Sequence, residues 1–259
     1  MNVIERCPVI ANFIRQLRRS VLSQMEQPQE NNNSKAVSRT DWKYFGVWWI
    51  FLVLGYCYVA NILCQRKNPL QSGNPGFRDF AVVALVGPLL YLVGPRHNWK
   101  PSTSSATQII RWNGLCYLVP FFLALHWEYI GDAIGAHFSL RPADLQSLDL
   151  RSMAALAVGV LIIVVLLSCH FVWAHHAKIL YPYLAVLCGI PCVIWAMMFF
   201  LAESHYIHVH HYCLGAFLFP FFRFRNRPSL VAQATFLGLA VEGVSRWGMD
   251  PLWYSTGAR

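Results

Sequence analysis

Four histidines crowd one ten-residue stretch, Glu203-Ser-His205-Tyr-Ile-His208-Val-His210-His211-Tyr212. Imidazole titrates near neutral pH and is among the commonest zinc ligands. On a helix, His205, His208 and His211 fall three apart and share one stripe, with His210 turned away. Three imidazoles plus a carboxylate or water complete a four-coordinate zinc site. Glu128, Asp132, Asp79 and Glu242 are the carboxylates available as a fourth ligand or as partners fixing a histidine tautomer. The competing account is a hydrogen-bonded polar network holding no metal. Glu242 and Arg246 stand four apart and share a helix face, and Asp250 extends the row. An arginine so placed either neutralises Glu242 or grips a phosphate or carboxylate headgroup through two parallel hydrogen bonds.

The elements that must position these groups follow from composition. Of 259 residues, 56% are hydrophobic and only 13% charged, against roughly 25% charged in a soluble domain. Mean hydropathy is +0.39. That balance excludes a disordered chain and a nucleic-acid-binding domain with a solvated basic face. Eight Cys over this length make no disulfide framework. The expected class is an all-α, polytopic helical membrane protein. Seven apolar runs are long enough to cross about 30 Å of hydrocarbon: 44–64, 80–93, 109–130, 153–174, 179–202, 206–222 and 230–247. The run 80–93 is the shortest. Thr40-Asp41 is a candidate cap for the first run, Ser229 for the last, and Pro182 and Pro191 are expected kinks in the fifth. Gly238, Ala240 and Gly243 are small enough to permit close helix packing in the last.

Residues 1–43 form a separate polar segment. Ile10, Phe13, Ile14, Leu17, Val21 and Met25 recur at helical spacing, with Arg15, Arg18 and Arg19 on the remaining face. This predicts a basic amphipathic helix over 8–25, lying on a membrane surface or docking a partner. A polar linker follows, carrying the sequon Asn32-Asn33-Ser34. Two-thirds of the 21 Lys and Arg fall on the side of the N-terminus. The charge bias predicts a cytosolic N-terminus and a non-cytosolic C-terminus, and leaves the sequon unused.

Under that topology the costly polar groups gather at the non-cytosolic end. Asp79 enters the second run there, and His126, Glu128 and Asp132 close the third. The histidine stretch lies between the fifth and sixth, and Glu242, Arg246 and Asp250 leave the seventh. A second cluster, His170-Phe-Val-Trp-Ala-His175-His176, loosely resembles a histidine box of membrane di-iron enzymes. The fifth run separates it from the first cluster, so the two belong on opposite faces. Cys169, Cys188 and Cys192 read as small hydrophobes. No GxxxxGK[ST], GxSxG, HExxH or CxxC is present.

One stretch carries a family likeness. His208-Val-His210-His211-Tyr212, Gly215, Pro220, Arg227-Pro228-Ser229-Leu230, Gln233, Gly238-Leu239, Glu242-Gly243 and Arg246-Trp247-Gly248-Met249-Asp250 resemble the C-terminal membrane region of fungal LCCL-domain-containing multi-pass proteins. The likeness is confined to about residues 205–253, and residues 1–43 are too few for an LCCL domain. It implies a eukaryotic multi-pass membrane protein and names no reaction.

Three functions remain open. A zinc-dependent membrane hydrolase of a lipid amide or ester would hold metal through His205, His208 and His211, with Glu128 or Asp132 as the base for a bound water. Arg246, Glu242 and Asp250 would take the headgroup, supported by His126, Asp79 and His210. A proton- or ion-coupled transporter would use the same groups as a path. A non-catalytic subunit or assembly scaffold would use them to hold helices together. Its partners would be membrane lipids and other membrane subunits, met through the transmembrane helices or the 8–25 helix, with no nucleic acid. The last reading is preferred.

Overall fold

The computed structural model describes residues 39–64, 77–98, 106–135, 146–201, 205–207, 210–249 and 253–255. The helix expected over 8–25 and its linker lie outside them. The described chain is helical apart from one small ribbon. In chain order the helices are α1 (Arg39–Tyr58), continued by a π-turn over Val59–Leu63, and α2 (Phe77–Val93) with the short α3 (Pro95–Asn98). Then come α4 (Ala106–Ala124), α5 (Trp127–Ile134), α6 (Leu150–His176) and α7 (Leu180–Leu201). Strand β1 (His205–Ile207) precedes α8 (His211–Leu218), a 3-10 turn over Phe219–Phe221, α9 (Arg227–Trp247) and β2 (Trp253–Ser255). The strands pair antiparallel, with Tyr206 opposite Tyr254.

Helix α9 is the axis of the bundle. Ala234, Leu237 and Val241 are buried, as are Leu230, Phe236 and Val244, so apolar residues bury on every face rather than one stripe. Close approach is built into two glycines. A Cβ at Gly238 would stand 2.5 Å from the Phe121 carbonyl oxygen of α4, and one at Gly215 would stand 2.6 Å from the Phe236 carbonyl oxygen. Gly243 likewise admits Tyr212, as its size suggested.

Side-chain pairs give each helix a direction. Trp48 pairs with Tyr117 and Tyr58 with His126, so α1 and α4 run parallel. Trp49 donates to the Ala84 carbonyl while Phe45 meets Tyr91 and Tyr56 meets Phe80, so α2 runs back. Gly238 against Phe121 and Arg246 against Glu128 make α9 parallel to α4. His170 meets Ser229 and Tyr183 meets Phe221, which sets α6 descending toward the start of α9 and α7 ascending from it. Among the described residues, seven helical bodies therefore alternate in direction. We call the end holding Trp247 the upper end and that holding Arg227 the lower.

Among the described residues, four stretches are long and apolar enough to cross a membrane: Tyr44–Leu63, Phe77–Asn98, Leu150–His176 and Leu180–Met197. This is consistent with a membrane protein. The second is longer than expected. The third departs from a continuous run: at Leu125-His126 the helix breaks, leaving the apolar piece Gly114–Ala124 and the separate α5. The cause is local. The His126 Nδ1–H donates to the Phe122 carbonyl, the acceptor its own backbone N–H would have taken, and that N–H bonds Leu123 instead.

The sixth run also differs. Its helix starts at His211, not Tyr206, because residues 205–207 are drawn into the ribbon with a segment 48 residues downstream. Helix α1 begins at Arg39, so Thr40-Asp41 lies in its first turn rather than ahead of it. Pro182 sits in the first turn of α7, where no kink is required, and only Pro191 is interior. The cap of α9 is Asn226, whose side-chain oxygen accepts from the Ser229 N–H at 2.8 Å; Ser229 is not the cap.

Candidate functional site: a buried carboxylate–guanidinium–imidazole cluster

At the upper end, Glu242 is fully buried on α9 with both carboxylate oxygens engaged. Arg246 Nε donates to Oε1 at 2.8 Å, one helical turn away. His211 Nε2–H, at the first turn of α8, donates to Oε2 at 2.8 Å. Arg246 Nη1 reaches Glu128 Oε2 on α5 at 2.7 Å. The guanidinium lies over the Tyr129 ring, its carbon 5.7 Å from the centroid, and its Nη2 is buried without a hydrogen bond among the described residues. The Cys64 thiol, at the end of the π-turn, stands within electrostatic reach of Arg246, Glu242 and Glu128. Four segments of the chain thus meet around the Glu242–Arg246 pair.

Local sequence explains the placement. Glu242 and Arg246 are one turn apart, so α9 presents them together. The break at His126 lets α5 leave the α4 axis, and its first turn carries Glu128. Gly243 leaves room for His211, since a Cβ there would stand 2.9 Å from His211 Nε2.

Of the residues singled out from sequence, the structure unites Glu128, Glu242, Arg246 and His211. Asp79 lies at the same end, where Oδ1 accepts from the Met249 N–H at 3.3 Å just past α9. His126 is committed elsewhere: Nδ1–H donates to Phe122, and Nε2 accepts from the Tyr58 hydroxyl at 3.1 Å. Asp132 is exposed, and its carbonyl receives the Gly135 N–H that ends α5. His210 precedes α8 and stacks on Tyr212, ring centroids 5.3 Å apart. His205 lies in β1, so the helical stripe of His205, His208 and His211 does not form. His208 and Asp250 lie outside the described residues. No group of three or more His, Cys, Asp or Glu able to hold a metal occurs among the described residues. His211 Nε2, the nitrogen nearest the cluster, is occupied as a donor to Glu242.

Sequence reading missed Tyr58, Cys64 and Tyr129 here. Tyr129 adjoins Glu128, and its hydroxyl donates to the Leu63 carbonyl at 3.0 Å, tying α5 to the π-turn. A pattern search for ligands passes over such a residue. A second polar centre lies at the lower end, around the His170 that sequence reading had set on the opposite face without its partners. His170 is fully buried, donating from Nδ1 to the Leu166 carbonyl at 2.6 Å and accepting at Nε2 from Ser229 Oγ at 3.1 Å. Ser229 Oγ in turn accepts from the Phe224 N–H. The Phe222 carbonyl receives both Asn98 Nδ2 and Gln233 Nε2 at 2.9 Å. The signal was the Asn226-Arg-Pro-Ser229 run, a helix start whose cap and first-turn partner are both polar.

His170 and His211 contact α9 at Ser229 and Glu242. Thirteen residues of helix separate those positions, about 20 Å, so the two histidine clusters occupy opposite ends as expected. Comparison of the chain with protein families, with curated proteins and with solved structures gives no match.

Proposed function

We propose that this chain is a seven-crossing integral membrane protein with a non-catalytic role, a subunit or scaffold whose polar groups lock its helices together. The observation that carries this is Glu242, fully buried with one oxygen held by His211 and the other by Arg246. A general base, a metal ligand or a relay carboxylate needs an oxygen available to its substrate. Here both oxygens serve contacts between α8 and α9 and within α9, and Arg246 adds α5.

Seven crossings are supported by the alternating directions of the helical bodies. Helix α9, with 21 residues, spans about 31 Å, the thickness of the hydrocarbon. It is less apolar than the four lipid-compatible stretches because protein shields it on all sides, so Gln233 and Glu242 never meet lipid. Exposed Trp42 and Tyr181 near the lower end and Trp127 and Trp247 near the upper end fit two aromatic belts. Lys178, Arg223, Arg225 and Arg227 at the lower turns support a cytosolic side for that end, and for the N-terminus with it. The α6–α7 pair presents Leu161, Val165, Val193, Trp195 and Phe200 outward, each more than half exposed. Such an apolar area calls for lipid or another membrane subunit to cover it. The likeness to the membrane region of fungal LCCL-domain proteins accords with a eukaryotic endomembrane or organellar setting.

Metal analysis of the purified protein and of His211→Ala separates this reading from the zinc hydrolase. We expect no stoichiometric zinc in either. One zinc per chain that disappears on His211→Ala would replace the scaffold with the hydrolase.

A further inference from the structure

The outward fork of Arg246 is half filled. Its Nε donates to Glu242, and Nη1 meets Glu128 Oε2 at 2.7 Å. That second contact is an ion pair without hydrogen-bond geometry, since Oε2 is buried and accepts no hydrogen bond. Nη2 is buried with no acceptor, on a side chain only 6% exposed. A buried N–H left in this state is costly. The two terminal nitrogens of a guanidinium match two oxygens of one phosphate or carboxylate. Glu128 brings one oxygen to one of them.

Glu128 and Tyr129, which cover the fork, both lie on α5. None of the eight residues of α5 is buried. The helix is bounded by the break at His126 (φ −101°, ψ 19°) and by Gly135 at φ 65°, a conformation glycine adopts without strain. Its exposed Trp127, Ile130 and Ile134 continue, at three- and four-residue spacing, the exposed Leu115, Val119 and Leu123 of α4. In the seven-crossing arrangement this apolar face of α5 lies in the headgroup region of the upper leaflet. The oxyanion within reach of the fork is therefore a lipid phosphate.

Charge decides which lipid. Glu242 and Arg246 are one acid and one base, and Glu128 is a second acid. A phosphate that takes the fork releases Glu128 beside it, so a purely anionic headgroup would face an uncompensated carboxylate. The other charges of this end do not supply a cation in surplus: Asp79 is acidic, and the exposed Asp132 and Arg151 are opposite in sign. An ammonium on the same headgroup removes the conflict, because a primary amine offers three donors to the released Glu128. We propose that Arg246 and Glu128 form a site for the zwitterionic headgroup of phosphatidylethanolamine, phosphate on the guanidinium and ammonium on Glu128. Helix α5 is the lid of this site, and Glu128 occupies the fork when no lipid is bound. The proposal rests on the membrane reading above and adds a ligand to it.

The test is native mass spectrometry of the full chain in detergent, titrated with dioleoyl phosphatidylethanolamine, phosphatidylcholine and phosphatidylglycerol. Choline carries no N–H and glycerol no positive charge, so phosphatidylethanolamine is expected to bind about tenfold more tightly than either. Glu128→Gln removes both the competing carboxylate and the ammonium partner. It should bind phosphatidylglycerol roughly fivefold more tightly than the parent does and lose the preference for phosphatidylethanolamine. Arg246→Lys keeps the charge without the fork and should lose about tenfold in affinity for phosphatidylethanolamine. Should it fail to purify, Glu128→Gln carries the test. Arg223→Gln, an exposed cation of the lower end, serves as control and is expected to bind as the parent does. Equal affinity of the parent for all three lipids, a preference that survives Glu128→Gln, or an equal loss in the control would overturn the proposal. So would glycerophosphoethanolamine binding as tightly as the lipid, which would make the ligand a soluble phosphodiester. A chain that stays in solution without detergent would overturn the membrane reading, and this proposal with it.

Discussion

Arg246 is the residue on which the upper cluster turns. Buried ion pairs gain little over apolar substitutes, yet removing one partner strands a charge away from water. Arg246→Met should therefore destabilise the protein by about 3–5 kcal/mol, because Glu242 loses the cation that compensates it. The combined Glu242→Leu with Arg246→Met removes both charges and should recover most of that loss, leaving Glu128 and His211 to solvent at the partly exposed rim. Thermal unfolding in detergent, followed by tryptophan fluorescence, checks the order of the two variants. A double variant no better than the single would mean that the pair contributes more than mutual neutralisation.

Among the described helices, α6 is the longest and buries only Ser152, His170, Trp173 and Ala174, so its ends matter to it. Asp149 caps its start, Oδ1 accepting from the Ser152 N–H at 3.1 Å. Hydrogen bonds from Ser152, side chain first and backbone second, hold the Asp149 carboxyl below its usual range. A carboxylate with a depressed folded pKa stabilises above the unfolded value, near 3.9, and that contribution is lost as pH falls through the folded pKa. Protection of the Ser152 amide in hydrogen exchange should accordingly persist to pH 4 and then decay on further acidification. Asp149→Asn caps comparably without titrating, so its protection relative to the parent should rise as the pH drops. Matching pH profiles in the two proteins would show that the cap is not what titrates.

At the scale of the whole molecule, alternating helix directions and segregated charge make one claim about topology. The proposed seven-crossing arrangement puts Arg78 and Arg151 on one side of the membrane and Lys178 and Arg223 on the other. With the eight native cysteines replaced, single cysteines at these four positions should divide cleanly under a membrane-impermeant maleimide. In sealed membrane vesicles with the cytosolic face outward, positions 178 and 223 should label and positions 78 and 151 should label only after permeabilisation. Labelling of 151 and 223 from the same side would break the seven-crossing arrangement. The two polar centres take different parts in this architecture: the upper one joins helices through charge, while the lower one fixes neutral turns and leaves the rim charge facing outward.

Composition and apolar run length were enough to determine the helical class, the positions of most helices and the gathering of Asp79, Glu128, Glu242 and Arg246 at one end. Those features follow from the cost of polar groups in hydrocarbon and from helix periodicity, both local to the sequence. The Glu242–Arg246 contact was legible for the same reason, being one helical turn. Tertiary structure alone decided the rest. Extended backbone at His205 depends on pairing with residue 255. The seat of His211 on Glu242 depends on the absence of a side chain at Gly243. Each is a contact, or a gap, whose partner lies too far along the chain or too finely balanced for spacing to reveal. That is why a histidine stripe shaped like a metal site resolves, at His211, into a hydrogen bond between two helices.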